Sequence, residues 1–157
     1  MLNPQQFREL IINPTLDRLD AYSEAASNLL LGTAIQESGL VALKQYGGGP
    51  ALGLYQIEPA TLRDLQENYL PRKDRLRNTL ANMAGRFGHE EQLISNLSYA
   101  TAIARIIYLR RPEPLPEAVD VAGLGHYWKT HFNTAQGKGK VSEFVEKYER
   151  YVGVMDA

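Results

Sequence analysis

The sequence predicts a mainly α fold, a single-domain helical bundle with a long central helix and a loop or short hairpin flanking a cleft. Two observations carry that prediction. Apolar residues recur at threes and fours over several long stretches, and Gly and Pro punctuation falls between those stretches.

Asn3-Pro4 reads as an N-cap with Pro at the first helical position, opening a short helix that Asn13-Pro14 should end. Thr15 or Ser23 could cap the next one, in which Ala25, Ala26, Leu29, Leu30, Thr33, Ala34 and Glu37 recur at helical spacing. Gly39 is its expected stop. Tyr46-Gly47-Gly48-Gly49-Pro50 fits neither regular helix nor central strand, so residues 40–57 read as loop with room for a short hairpin. Pro59 starts a helix through Leu70, interrupted by Pro71. Further helices are expected over 73–84, 89–110 and 117–132. The second of these carries Leu93, Leu97, Ala100, Ile103, Ala104, Ile107 and Tyr108 on one side, as a central bundle helix should. A Gly/Lys loop over 134–140 precedes a closing helix over 141–152.

Composition bounds the class. With 44% hydrophobic and 22% charged residues, the 157-residue chain is ordinary globular material, and no repeat, low-complexity tract or linker divides it, so 1–157 reads as one domain. The absence of Cys removes disulfides, thiolate chemistry and Cys-ligated zinc. His89, His126 and His131 show no metal spacing, so no metal or other cofactor is expected. A formal net charge of -1 argues against a phosphate-holding nucleic-acid binder, and the basic stretches Arg72–Arg77 and Gly137–Lys140 read as solvated faces. The N-terminus lacks the pattern of a secretory signal, and the apolar runs are too short to span a bilayer. No integral membrane association is expected, and the chain reads as a soluble monomer.

The chemistry concentrates in two motifs, Glu37-Ser38-Gly39-Leu40 and Gly53-Leu54-Tyr55-Gln56-Ile57-Glu58-Pro59-Ala60-Thr61. A lone acid at the end of an apolar helix, followed by a Gly-rich loop and a turn into the next helix, describes a cleft with one carboxylate in its wall. A group that protonates a leaving oxygen near neutral pH needs a pKa well above the ~4.3 of free Glu, and desolvation along an apolar helix supplies that shift. The helix C-terminal dipole works in the same direction. Glu37 is therefore the candidate general acid. In the second motif Gly53 would let the backbone approach a sugar, with Tyr55 or Gln56 offering polar contacts.

The two motifs and their spacing resemble the soluble lytic transglycosylase family, related to goose-type lysozyme, which pairs Glu-Ser-Gly with Gly-Leu-Met-Gln-(Ile/Leu)-Met-Pro-Ala-Thr. The likeness continues more weakly through Asn96-Leu97, Ala102 and Tyr108-Leu109 to His131-Phe132-Asn133-Thr134-Ala135-Gln136-Gly137, similar to a divergent Ala-Tyr-Asn-Ala-Gly, and so spans roughly residues 25 to 140. Tyr55 and Glu58 replace usual methionines. Phe132 stands where the family places a Tyr whose hydroxyl helps position the acid or the substrate, a role that Tyr127 or Tyr99 could take over.

The resemblance implies a lysozyme-like fold and cleavage of the β-1,4 bond between N-acetylmuramic acid and N-acetylglucosamine of peptidoglycan glycan strands. Glu37 would act alone, first as acid and then as base to the muramyl 6-hydroxyl, giving a 1,6-anhydro product. The substrate acetamido group can replace a second carboxylate. A hydrolytic lysozyme would need one, with Glu58 and Asp64 nearest in sequence, although Glu58 also reads as a favourable charge at a helix start. Substrate binding is expected from Ser38, Gly53, Leu54, Tyr55, Gln56, Tyr127, Phe132 and Asn133. Trp128 reads as packing, with stacking on a sugar face as the alternative. The other readings are a non-catalytic wall-binding or assembly module and, less favoured, a nucleic-acid binder. A wall-cleaving chain without a leader suits a phage or prophage protein, made in the host cytoplasm and carried in the particle or released at lysis.

Overall fold

The computed structural model describes residues 1–133 and 137–155. The chain is mainly α, and among the described residues β pairing is confined to the isolated bridges Lys44–Leu52 and Leu52–Ile57. Of the loop or short hairpin expected beside the cleft, the structure has a loop that closes in a tight turn. Leu52 and Ile57 exchange both backbone hydrogen bonds, each 3.0 Å, and close the segment Gly53-Leu54-Tyr55-Gln56.

Helix α1 (Pro4–Phe7) is capped by Asn3, whose side chain accepts from the Gln6 N–H at 3.0 Å. The chain does not stop at Asn13-Pro14 as expected. A π-helical turn (Arg8–Ile12) leads directly into α2 (Asn13–Arg18), with Pro14 in its first turn. Proline lacks an N–H and crowds the carbonyl four residues back, and a π turn relieves this by widening the spiral, so that the Asn13 N–H reaches the Arg8 carbonyl. Thr15, one of the two expected caps, consequently lies buried inside α2. The cap of α3 (Glu24–Ser38) is Ser23, which accepts from the Ala26 N–H at 3.0 Å.

Helix α3 is covered on every side: Leu29 through Ile35 are all buried, as an apolar circumference demands. Gly39 ends it in the left-handed conformation, φ 62°, donating its N–H to the Ile35 carbonyl. Glu37 is thereby held on the last turn.

Helices α4 (Pro59–Asn68) and α5 (Asp74–Met83) lie close to their predicted spans, joined by a 3-10 turn (Leu70–Arg72) that contains Pro71. The single helix expected over 89–110 is two, α6 (His89–Ser95) and α7 (Leu97–Leu109), broken at Asn96 with φ −119° and ψ 97°. Asn side chains offer the backbone alternatives to a helix. Here Oδ1 accepts from the Tyr99 N–H and caps α7, while Nδ2 donates to the Met83 carbonyl at 2.9 Å and to Gln92 Oε1 at 3.1 Å. Beyond the break α7 is buried from Tyr99 to Tyr108, wrapped rather than striped.

Helix α8 (Val121–Trp128) begins at Val121 rather than Glu117 because Asp120 caps it, accepting from the Gly123 N–H at 2.9 Å. It passes into a second π turn, Lys129–Asn133. The closing helix α9 (Val141–Met155) starts where expected; of the predicted Gly/Lys loop, residues 134–136 lie outside the described residues. One hydrophobic core joins Phe7, Ile12 and Leu16 of the N-terminal segment to α3, α7, α8 and α9. Among the described residues no helix is long and apolar enough to cross a membrane.

Candidate active site

The end of α3, the start of α4, the end of α7 and the second π turn surround a groove of about 910 Å³. Its lining includes Glu37, Gln56, Glu58, Asp64, Arg110, Trp128, Phe132 and Asn133. Glu37 is half-buried in this wall. Burial pushes its carboxyl from the ordinary 4.5 up to about 7, against the opposing pull of hydrogen bonds from Trp128 and Asn133 and of the Lys147 and Lys129 charges.

The two donors on Glu37 come from opposite ends of the second π turn. Trp128 is fully buried, stacked on Phe144 at 5.6 Å, and its Nε1–H donates to Glu37 Oε2 at 3.3 Å. Indole N–H groups can only donate, so this bond favours the carboxylate form. Asn133 is oriented by Lys129, whose Nζ donates to Asn133 Oδ1 at 2.7 Å and to the Gly137 carbonyl at 2.8 Å. An ammonium accepts nothing, so the Asn133 oxygen must face Lys129, and its amide N–H₂ is left for Glu37. Trp128→Phe removes one donor from the carboxylate and is expected to raise the Glu37 midpoint from about 7 by roughly one pH unit, the worth of one charge-assisted hydrogen bond. Carbon-detected NMR titration of the Glu37 carboxyl measures this directly; an unmoved midpoint would remove Trp128 from the site.

Phe132 lines the groove without a hydroxyl, packed on Tyr108 at 5.4 Å. The hydroxyls of Tyr127, Tyr99 and Tyr108 are all engaged elsewhere. Tyr127 donates to the Glu113 carbonyl at 2.9 Å, and the Tyr99 hydroxyl bonds His89 Nδ1 at 2.8 Å. Thr33 already donates to the Leu29 carbonyl, so the Tyr108 hydroxyl, 2.8 Å away, is the donor to Thr33 Oγ1. The side chains that hydrogen-bond Glu37 are instead Trp128 and Asn133.

Several expected binding residues face elsewhere. Tyr55 is 1% exposed and spends its hydroxyl on Thr101 at 3.0 Å, and Leu54 is core, because the tight turn points both inward. Tyr127 is packed between Tyr108 and His131. The Ser38 hydroxyl is used at the helix end, donating to the Ala34 carbonyl and accepting from the Leu40 N–H. Gly53 lies against the backbone of Leu93 in α6. Gln56 does line the groove, in the left-handed conformation at φ 49°, its Nε2 donating to the Gly53 carbonyl at 2.8 Å.

The two candidate second carboxylates both reach the groove. Asp64 is bonded by Asn68 at 2.6 Å and ion-paired with Arg110, and these partners hold its carboxyl below the usual range. Glu58 sits at the N-cap position of α4, exposed, and makes no side-chain capping bond. Among the described residues no three His, Asp or Glu side chains gather as a metal site.

Sequence reasoning took Trp128 as packing and gave Lys129 no role. The usable signal was that Trp128 is the chain's one tryptophan, and a buried indole N–H needs an acceptor. No family model matches the chain, and no characterised protein or solved structure is significantly similar to it.

Proposed function

We propose that this chain is a peptidoglycan lytic transglycosylase that cleaves the β-1,4 bond between N-acetylmuramic acid and N-acetylglucosamine with Glu37 as its one acid/base. The observation that carries the reading is a half-buried Glu37 carboxyl titrating at about 7 in the wall of an open groove. A group with that midpoint is populated in both forms at neutral pH, which suits it to give a proton and then take one. The motif pair around Glu37 and Gly53 supports the same reading.

In the first step Glu37 protonates the glycosidic oxygen as its bond to muramyl C1 breaks, and the leaving sugar departs as an alcohol. The substrate acetamido oxygen stabilises the developing positive charge at C1. Glu37, now a carboxylate held by Trp128 and Asn133, accepts the proton of the muramyl 6-hydroxyl while that oxygen bonds C1. The product is the 1,6-anhydro sugar, and the acid is regenerated.

Asp64 is committed to Arg110 and Asn68, which favours a mechanism without it. The uncapped Glu58 on the same groove motivates a second reading, hydrolysis with Glu58 directing water. Mass spectrometry of soluble products from purified peptidoglycan separates them: 1,6-anhydro ends are expected, and reducing ends would transfer the assignment to hydrolysis. A folded protein that binds glycan and releases nothing would be a wall-binding module. The setting that suits the reading is a monomeric phage or prophage product acting on the host wall.

A further inference from the structure

A second cavity, of about 260 Å³, opens on the other side of Glu37, and Gln36, Glu37 and Gln56 line both it and the main groove. Its remaining wall includes Tyr46 of the Gly-rich loop and one face of α9, where Lys147, Arg150 and Tyr151 sit three and four residues apart. The two spaces differ in charge. The main groove mixes Glu58, Asp64 and Glu143 with Arg110, Arg111 and Lys138, whereas among the described residues Glu37 is the one carboxylate lining the smaller cavity with Lys147 and Arg150. When Glu37 is protonated, the charged side chains lining the smaller cavity among the described residues are Lys147 and Arg150, the latter paired with Glu146 at its outer edge.

Both cations are available to a ligand. Lys147 is half-buried and has no ion-pair partner among the described residues. Arg150 shares its guanidinium with Glu146 at 2.8 Å, but that pair is exposed on both sides and weakly held, so a better-placed acceptor can take the fork. Tyr46, 81% exposed, offers an aromatic face at the rim.

We infer that this cavity is a binding site for a carboxylate on the peptide branch of the muramyl sugar, so that a glycan strand is read by its side chain as well as by its backbone. The inference rests on the transglycosylase reading for the identity of the strand. It specifies where the branch goes: past Glu37, over the 147–151 face of α9, while the sugars occupy the main groove.

The test is calorimetric binding to Glu37→Gln protein, which keeps the ligand intact. Two soluble glycan fragments are compared, identical except that the peptide-branch carboxylates of one are converted to amides. The carboxylate fragment is expected to bind about tenfold more tightly, the worth of one charge-assisted contact. Adding Lys147→Gln and Arg150→Gln should bring the ratio close to one, and Lys147→Arg should largely restore it. Equal affinities for the two fragments, or a ratio unchanged by losing both cations, would overturn the site. Wild-type cleavage of glycan stripped of its peptides is run in parallel. Cleavage without a carboxylate preference removes the site and leaves the enzyme, while a preference without any cleavage keeps the site and removes the enzyme.

Discussion

Glu37→Gln is expected to lower the proposed glycan cleavage by about 10²- to 10⁴-fold, the range that general acid–base catalysis supplies, in a protein that stays folded and gains stability at alkaline pH. The second half of that result follows from the raised midpoint. Below 4.5 the carboxyl is protonated in both folded and unfolded chains, and burying it costs nothing extra. Between 4.5 and about 7 the unfolded chain ionises while the folded one resists, so stability falls as pH rises. Above about 7 the full cost is present, roughly 3 kcal/mol from a displacement of that size. Glutamine carries no charge and is spared the cost. Thermal unfolding at pH 8 is therefore expected to place the variant above wild type, with the two converging near pH 4. Activity of the wild type should decline on the alkaline side as the acid ionises, with a midpoint near 7. A variant that cleaves normally would show that the carboxyl is not the acid, and one no more stable than wild type at pH 8 would show that it is not desolvated.

Gly53→Ala is expected to be the most damaging substitution outside Glu37, and its damage is to the fold. Gly53 has φ 76°, where an L side chain is strained, and a Cβ there would lie 1.8 Å from the Leu93 carbonyl oxygen and 2.8 Å from its carbon. The obstacle is helix backbone, which cannot rotate aside as a side chain could. Left-handed strain and overpacking each cost about 1–3 kcal/mol, so a loss of roughly 3–5 kcal/mol is expected. That corresponds to a fall of about 10 °C or more in Tm for a chain of this size. Calorimetry checks it, and a Tm within a few degrees of wild type would mean that the turn can leave α6 cheaply. Because the same turn carries Gln56 into the groove and closes through Leu52 and Ile57, glycan binding should weaken with stability.

The sequence by itself determined whatever a few neighbouring residues decide. Ser23 as a cap, Gly39 as a stop and Pro59 as a start each act through their own backbone, so α3 and α4 were legible almost to the residue. Glu37 was legible as the candidate acid because its place at the end of an apolar helix is a local property. Where two local signals competed, the sequence misled. Pro14 ends a helix unless a π turn absorbs it, and Asn96 continues an apolar pattern unless its amide finds Met83 and Gln92. The tertiary structure alone decided which way Tyr55 points, why Gly53 must be glycine, and which side chains bond Glu37. Each depends on atoms far away in the chain: Thr101 for Tyr55, Leu93 for Gly53, Trp128 and Asn133 for Glu37. The Glu37 pKa belongs to the same class, since desolvation sums over every helix packed around the carboxyl, and no window of sequence contains α3, α8 and α9 together.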